Sequence, residues 1–314
     1  MGFVKKHLPN MKKILFVRKF KKSSGGQIKV RDYFQHCLAH PDFEPAIYFT
    51  PDSKWHGTTF WEFLPPECVV ENLRFGDYAG LFLAGRDWEF IPAPPQELPV
   101  INYIQHVKHA EPADKRFKHL RRLATRICVS EQVAQAISPF ANGEVITIPN
   151  GISLEDFSPA RQKTVGSILI WGRKNPALGE RLQRFLCENG KHSELLLDYL
   201  PRTEFAKKLA HTDLLVALPD RTEGFYLPAL EALASGCAVI CSDAIGNRSF
   251  CLNEQTCLMP DFDDFKAHIV AVERLLGDVA LKDRLRIAGT ERAQAFSLAS
   301  ERKAFYTVLA KTLG

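Results

Sequence analysis

The chain has 314 residues, enough for two domains with separate hydrophobic cores. Hydrophobic residues make up 46% and charged residues 25%, an ordinary balance for a soluble globular protein, and no apolar run is long enough to span a membrane. The net charge of +5 is not accompanied by a nucleic-acid-binding motif, and the eight cysteines form neither a C-x-x-C pair nor a zinc-binding spacing. These observations predict no membrane-spanning helix, and they favour buried thiols in a reducing cytoplasm over a zinc site.

The start of the chain is basic. Its first 31 residues contain no acidic side chain, and Met1 and Met11 are the two candidate starting residues. The apolar stretch that ends at Val17 is too short for the core of a signal peptide, and no small-residue cleavage site follows it. Lys12–Val17 is therefore predicted to be a buried first strand of a cytoplasmic protein.

Short apolar runs alternate with helical patterns through the first half. Strands are predicted at Ile14–Val17, Ala46–Phe49, Gly80–Leu83, Val100–Gln105, Ile127–Val129 and Val145–Ile148. Helices are predicted at Ile28–Leu38, Pro112–Ala124 and Glu131–Ile137. This alternation is typical of a parallel, doubly wound sheet. Prolines and turn residues in Leu64–Pro99 predict loops there.

A second basic segment, Lys115–Arg126, lies in one of these predicted helices. It carries apolar residues at three-residue spacing, namely Phe117, Leu120 and Leu123. Such a helix either packs its apolar side into the domain, which we favour, or lies on an anionic membrane surface as a peripheral anchor. An anionic membrane surface is therefore kept as a partner, whereas nucleic acid is not.

Turn formers in Ile148–Pro159 predict a linker, after which the alternation restarts. Strands are predicted at Ser167–Trp171, Glu194–Leu200, Leu214–Leu218 and Ala238–Ser242. Helices are predicted at Pro176–Asn189, Arg202–His211, around Pro228–Ala234, and at Phe262–Leu276, Leu281–Phe296 and Ala299–Leu313. The sequence thus predicts two α/β domains, residues 1–155 and 156–314, with ligands bound in a cleft at the carboxyl ends of the strands. The last helix has the option of packing back on the first domain.

The segment Glu223–Ser242 is the most informative in the chain. It reads as a loop, a helix with Pro228 in its first turn, a glycine stop at Gly236 and a buried strand. The N-terminus of a helix that follows a strand can bind an anion, because its first amide N–H groups point outward. Glu223 and Glu231 lie on either side of this junction, and carboxylates beside an anion are expected to bind neutral hydroxyl groups. Phosphate beside sugar hydroxyls is the chemistry of a nucleotide-sugar.

This segment resembles the signature of the retaining glycosyltransferases of family 4, the "group 1" type, which have two facing Rossmann-like domains (the GT-B fold). The match consists of Glu223-Gly-Phe, Pro228, Glu231-Ala, Gly236 and Val239-Ile240, which reproduce the E-x7-E pattern with its flanking residues. Weaker matches follow the same order along the chain: Gly25-Gly26, Arg126–Ser130, Ile148–Ser153 and Ile170–Arg173. In order and spacing the resemblance covers most of the chain, with a more divergent first half.

The resemblance implies that the first acid, Glu223, contacts the transferred sugar and that the second, Glu231, binds the ribose of the nucleotide. It also implies donor contacts by the backbone of the residues that link the two acids, namely Gly224, Phe225, Tyr226 and Leu227. A carboxylate suits a vicinal diol because it can accept two charge-assisted hydrogen bonds. Without the resemblance, the two glutamates would be a loop acid and a helix acid of no special function.

Arg173 matches the diphosphate-binding arginine of the family. The family usually has a lysine about five residues further on, where this chain has Leu178. Lys174 either supplies the second positive charge or is a surface lysine. Positive charge is required because cleavage of the sugar–phosphate bond leaves developing negative charge on the diphosphate.

Three residues of the first half complete the candidate site. Gly25 and Gly26 are predicted to form a turn that, by resemblance, approaches the donor diphosphate, although such a pair is also an ordinary turn. His106 follows the fourth strand and, by resemblance, lies near the reacting sugar; the alternative is a loop histidine. Arg126 and Ser130 are assigned to the acceptor side.

Two further motifs are discounted or left open. Asp261–Asp264 contains the D-x-D metal motif of another glycosyltransferase fold, but it precedes a helix, where aspartate is a common cap. Asn247 stands where the family often has an acid, within Asp243–Arg248, a segment that follows a strand and is expected to border the sugar pocket.

The sequence thus predicts a cytoplasmic hexosyltransferase without metal or cofactor, with a peripheral position on the inner face of the membrane as the alternative location. Its catalytic residues would be Glu223, His106 and Arg173, its donor a nucleotide-sugar, and its acceptor a surface glycan or lipid-linked sugar. A nucleotide-sugar 2-epimerase and a non-catalytic nucleotide-sugar-binding subunit are the alternatives. A dehydrogenase is disfavoured because no G-x-G-x-x-G follows the first strand.

Overall fold

The computed structural model describes residues 11–56, 58–91, 98–160 and 163–314. Met1 as the starting residue, and Pro92, Pro94 and Pro95 of the predicted loops, lie outside these ranges. The chain divides into two units. The first contains the described residues up to Cys128, with Ala134–Ile148 and Arg302–Gly314; the second contains Val129–Val133 and Pro149–Glu301. None of the helices in the described ranges is long and apolar enough to cross a bilayer.

The first unit is built on a six-stranded parallel sheet of order β2-β1-β3-β4-β5-β6. All six strands lie where the sequence predicts them. Their bounds are β1 Lys12–Arg18, β2 Phe43–Phe49, β3 Gly80–Ala84, β4 Val100–Ile104, β5 Thr125–Cys128 and β6 Val145–Thr147. Helices α1 Gly25–Leu38 and α2 Glu131–Ile137 belong to the same part of the chain.

The second unit contains a four-stranded parallel sheet of order β10-β9-β7-β8. Its strands are β7 Ile168–Trp171, β8 Ser193–Leu196, β9 Leu214–Ala217 and β10 Ala238–Cys241. Its helices are α3 Pro176–Glu188, α4 Arg202–His211, α5 Leu227–Ala234, α6 Phe265–Gly277 and α7 Val279–Ala293, and α8 Leu298–Leu313 ends the chain. The strand order reverses between β7 and β9, which is the point where doubly wound sheets bind ligands.

Both sheets are buried on two faces, as parallel sheets are when helices cover them. In the first unit Phe16 and Phe82 stack at 4.5 Å between ring centroids, and Phe305 of α8 contacts Tyr33 at 4.8 Å. In the second unit the aliphatic side chains of β7, β9 and β10 pack against α3, α6 and α7. These cores fix the strand ends that carry the polar residues described below.

The predicted helix at Pro112–Ala124 is wrong. The structure has a short 3₁₀ turn at Phe117–Arg121, preceded by another at Val107–Ala110, and no α-helix between Pro112 and Ala124. The hydrogen bonds run from residue i+3 to residue i, and the carbonyl oxygens of His119 and Leu120 accept hydrogen bonds from the buried guanidinium of Arg126. A three-residue apolar spacing is also the repeat of a 3₁₀ turn. The basic amphipathic α-helix, whether packed into the domain or lying on a membrane surface, is therefore absent from this segment.

Helix α5 has the predicted start and end signals. Pro228 lies in its first turn, where a missing N–H is tolerated. Gly236 has φ of +71°, and its N–H and that of Cys237 donate to the carbonyl groups of Leu233 and Ala232. This is a Schellman cap, and it turns the chain directly into β10.

Candidate functional site

The loops that follow β7 and β9 bring oppositely charged side chains together at the reversal of strand order. Lys174 lies three residues beyond β7, and Glu223 lies in the loop between β9 and α5. The Lys174 Nζ is 3.1 Å from Glu223 Oε1 and 3.0 Å from Asp220 Oδ2. We call Arg173, Lys174, Glu223–Leu227 and Glu231 the switch-point site.

The Glu223 carboxylate is largely withdrawn from water, with a side chain 15% exposed. Burial raises the pKa of Glu223, and the charge of Lys174 opposes this shift. Burial likewise disfavours the charged form of Lys174, but Glu223 and Asp220 together outweigh it, and the pKa of Lys174 is raised. Although Glu223 Oε1 forms this ion pair, it has no hydrogen bond of good geometry within the described ranges.

The start of α5 presents unsatisfied donors beside Glu223. The amide N–H groups of Phe225, Tyr226 and Leu227 make no hydrogen bond to any described residue, and no side chain caps the helix. The Tyr226 hydroxyl is also buried without a partner there, and burial raises its pKa well above the usual value. Phe225 packs on Phe250, with ring centroids 5.0 Å apart, which fixes the backbone of the loop. An acceptor-rich anion fits this set of donors.

Two contacts fix the backbone between Glu223 and Phe225. The Ser130 hydroxyl donates to the Gly224 carbonyl oxygen at 2.8 Å, and the Gly246 N–H donates to the Glu223 carbonyl oxygen at 3.0 Å. A Cβ at Gly246 would lie 2.1 Å from the Gly224 carbonyl carbon, so only glycine allows this approach. Ser130, which the sequence assigned to the acceptor side, therefore supports the switch-point site.

Glu231 lies in the second turn of α5, and its side chain is only 7% exposed. Its Oε1 is 3.1 Å from Nη2 of Arg202, the first residue of α4. The Arg202 guanidinium also lies over the ring of Phe157, 5.1 Å from its centroid. Arg202 was not predicted as a site residue, because no local pattern in the sequence shows that the start of α4 lies beside Glu231 of α5.

Arg173 and Leu178 occupy different environments on either side of the start of α3. Arg173 is half-buried, and its guanidinium carbon is 5.8 Å from the ring centroid of Tyr199. Leu178, at the position of the family's lysine, is buried in the core of the second unit. Lys174 is therefore the cation of this loop that reaches Glu223.

The predicted residues of the first unit also lie together. Gly25 and Gly26 form the first turn of α1 rather than a separate turn, with Ser24 as the N-cap. The Gln105 side-chain amide donates to the Gly26 carbonyl oxygen at 3.2 Å. His106 follows directly, half-buried, and its Nδ1 accepts the Lys108 N–H at 3.1 Å. The start of α1 and the end of β4 are thus neighbours.

Hydrogen bonds show the structural roles of Arg126, Asn247 and Asp264, which the sequence had placed in or near possible binding sites. Arg126 lines no surface, because its guanidinium is fully buried and donates to carbonyl groups of its own unit. Asn247 is also fully buried. Its side chain accepts a hydrogen bond from the Ala244 N–H and donates one to the Ser242 carbonyl oxygen, and these bonds fix the conformation of its own loop. Asp264 caps α6 by accepting the Ala267 N–H at 3.0 Å, as the capping interpretation predicted.

The family model described as "Glycosyl transferases group 1" matches residues 152–278. This range contains every residue of the switch-point site. No curated protein sequence matches the chain.

Solved structures share the fold over nearly the whole chain. A sucrose-phosphate synthase from Thermosynechococcus elongatus is 16% identical with a TM-score of 0.70, and the alignment covers 96% of this chain and 98% of that one. Anabaena HepE in complex with UDP and glucose is 12% identical with a TM-score of 0.69, covering 96% and 100%. A glycosyltransferase from Rickettsia africae is 14% identical with a TM-score of 0.69, covering 97% and 99%. The predicted fold class, two parallel α/β units of the GT-B type, is confirmed.

Proposed function

We propose that this protein is a retaining, metal-independent hexosyltransferase that uses a nucleotide-sugar donor, on the premise that the family model of glycosyl transferases group 1 matches residues 152–278. The observation that carries the proposal is the switch-point site. It combines a carboxylate that is 15% exposed and held by Lys174 with unsatisfied amide donors at the start of a helix. A diphosphate would accept hydrogen bonds from the amide donors, and sugar hydroxyls would donate to the carboxylate.

The diphosphate is proposed to bind the N–H groups of Phe225, Tyr226 and Leu227, with Arg173 as its cation. These groups act where negative charge develops as the sugar leaves. One such preorganised donor lowers a barrier by roughly 3 kcal/mol. No covalent nucleophile is needed, because the departing diphosphate can take the proton of the acceptor hydroxyl on the same face of the sugar.

The two glutamates are proposed to bind hydroxyl groups. Glu223 is held by Lys174 at one of its two carboxylate oxygens, and we assign this carboxylate to hydroxyl groups of the transferred hexose. Glu231 is assigned to the ribose, with Arg202 holding its carboxylate in place through the 3.1 Å contact. The assignment of Gly25, Gly26 and His106 to the reacting end of the donor is supported by the family resemblance and by their proximity around Gln105.

The acceptor is proposed to be a growing surface glycan or a lipid-linked sugar, handled on the cytoplasmic side of a membrane. The support is the excess of basic residues in the first 31 positions and in Lys115–Arg126. UDP-sugars are the first donors to test, because HepE, which shares the fold, is described in complexes with UDP-glucose and with UDP and glucose.

The proposal is tested by incubating the protein with a panel of nucleotide-sugars, with and without glycan acceptors and with EDTA, and by following products by NMR. A transferase releases the nucleoside diphosphate and forms an α-linked product from an α-linked donor, and EDTA leaves the rate unchanged. Conversion of the donor sugar without any acceptor would instead show an epimerase. Binding without hydrolysis or transfer to any acceptor would show a non-catalytic subunit.

A further inference from the structure

The first unit contains an open pocket of about 410 Å³ that the proposed reaction does not use. We call it the Trp88 pocket. Its walls come from the segment after β3 and from the 3₁₀ turn before β5. It is lined by Trp88, Glu89, Ile91, Lys118, His119 and Arg122.

Three buried nitrogen atoms of the Trp88 pocket have no hydrogen-bond partner in the described ranges. They are Trp88 Nε1, His119 Nε2 and Arg122 Nη1. Trp88 is only 2% exposed and His119 only 5%. A buried donor left unsatisfied destabilises a fold by about 1–3 kcal/mol. Trp88 Nε1 and Arg122 Nη1 are donors in every tautomer, so their presence at one pocket points to a ligand that carries acceptors.

The charges of the Trp88 pocket favour an anion. Lys118 and Arg122 are cationic, while the carboxylate of Glu89 is already bound by Arg86 through two hydrogen bonds of 2.8 and 2.7 Å. Burial, with the charges of Arg122 and Lys118, lowers the pKa of His119 to about 4. The imidazole is therefore neutral near pH 7 and offers a hydrogen bond rather than a charge.

The aromatic surface of the pocket is occupied by protein groups. The Arg122 guanidinium lies over the Trp88 ring at 5.2 Å, and the His119 ring is nearly parallel to it, with centroids 6.1 Å apart. Stacking of a sugar ring would have to displace these groups, whereas the indole N–H edge remains unsatisfied. This favours a compact acceptor over a stacked sugar.

Both walls are held by buried charges. Asp87, next to Trp88, accepts a hydrogen bond from Arg18 Nη1 at 2.6 Å and one from the Ala84 N–H at 2.9 Å. On the other wall, Arg126 Nη2 donates to the carbonyl oxygens of Leu120 and Arg122 at 2.6 and 2.5 Å. The three nitrogen atoms are thus preorganised, which reduces the entropy lost on binding.

We propose that the Trp88 pocket binds the phosphate group of a small phosphate ester, either free or as a lipid headgroup. Phosphate offers several acceptor oxygens, Arg122 and Trp88 supply matching donors, and His119 adds a third donor in the tautomer that carries its proton on Nε2. The lipid source has its own support, since Leu123, adjacent to Arg122, is 70% exposed beside the basic residues. The inference is independent of the reaction proposed above.

The test uses the full chain and glycerol 3-phosphate, with calorimetry for affinity and indole N–H resonances for location. The Trp88 resonance is assigned by its loss in Trp88→Phe, which keeps a ring in place. Glycerol 3-phosphate should shift that resonance. Arg122→Gln should weaken binding about tenfold or more, since it removes a charge-assisted bond, and Trp88→Phe should weaken it by about threefold to tenfold.

Arg121→Gln is the matched control, because it removes the same charge from the neighbouring exposed position. It should change the affinity less than Arg122→Gln does. Vesicles of phosphatidylcholine with and without phosphatidylglycerol form the second arm. Arg122-dependent binding to the anionic vesicles supports a lipid source, and Arg122-dependent binding to glycerol 3-phosphate alone supports a soluble one. Absence of binding in both arms, an unshifted Trp88 resonance, or equal losses for the two arginine variants would overturn the proposal.

Discussion

The charge state of Glu223 is set by two opposing effects, since burial raises its pKa and Lys174 counteracts burial. A carboxylate that accepts hydrogen bonds from sugar hydroxyls must be ionised. Lys174 therefore has a role at the switch-point site even though it occupies a different position from the family's usual lysine. That position is taken by Leu178, which is part of the core.

Lys174→Gln should shift the acid limb of the pH–activity profile to higher pH. Removing the cation leaves burial unopposed, so the pKa of Glu223 rises and the active, ionised form is lost at a higher pH than in the wild type. The measurement is kcat/KM against pH for both proteins, with the exposed Lys191→Gln as a control of equal charge change. Coincident acid limbs for wild type and Lys174→Gln would contradict this account of Glu223.

For individual residues, the sequence predicted which of them lie in one loop but not which side chains form ion pairs or hydrogen bonds with each other. Glu223, Gly224 and the start of α5 are local to one loop, so their proximity follows from the chain itself. The pairing of Glu231 with Arg202 depends on where β8 lies relative to β9, which the sequence did not reveal. Likewise, Asn247 was expected near the sugar, but its buried amide is used within its own loop.

At the scale of elements, local signals predicted most of the fold. Strands such as β3 are continuous apolar runs, and α5 carries both a proline start and a glycine stop, so propensity and packing agree. The segment Pro112–Ala124 was mispredicted because its amides donate to carbonyl groups three residues back, and its carbonyl groups at His119 and Leu120 also accept hydrogen bonds from a buried arginine of β5. Hydrogen bonds from the Arg126 side chain of the following strand cannot be recognised from the spacing of apolar residues in the segment.

The contact between two glycine-containing loops gives a test of the loop before α5. Gly246→Ala should displace the Glu223–Gly224 backbone, because the added methyl group would lie 2.1 Å from the Gly224 carbonyl carbon. We expect nucleotide-sugar binding to weaken by about tenfold or more, as positioned amides are lost, with overpacking lowering stability by about 1–3 kcal/mol. Binding is measured by calorimetry and stability by urea unfolding.

Gly277→Ala is the matched control, because a Cβ there meets no atom within 4 Å. It should bind nucleotide-sugar as the wild type does. Wild-type affinity in Gly246→Ala would show that the close approach of the two loops does not position the amides.

For the molecule as a whole, buried histidines of the first unit predict sensitivity to acid. Burial, with the charge of Arg116 in addition, lowers the pKa of His109 to about 3, and the pKa of His119 is lowered to about 4. Below about pH 6.5 these two histidines bind protons in the unfolded chain but stay neutral in the folded chain. Stability is therefore unaffected by these groups at higher pH and falls as the pH drops from about 6.5 towards 4.

His109→Gln should flatten this pH dependence by up to roughly 1.4 kcal/mol per pH unit, since one proton per molecule is no longer taken up on unfolding. Urea unfolding at several pH values between 4 and 7 measures the slope. His192→Gln, which changes an exposed histidine, should leave the slope as in the wild type. An unchanged slope in His109→Gln would contradict the assignment of a neutral buried imidazole.

The central claim is that the second unit binds a nucleoside diphosphate through the switch-point site, with Glu231 on the ribose. The most direct test is the dissociation constant of nucleoside diphosphates, starting with UDP, for the wild type, Glu231→Gln and the exposed control Glu180→Gln, each shown to be folded. The account predicts that one diphosphate binds the wild type and Glu180→Gln equally, and that Glu231→Gln binds it about tenfold or more weakly, because hydrogen bonds to a charged group are lost. Equal affinity in all three proteins, or no binding of any nucleoside diphosphate to the wild type, would contradict it.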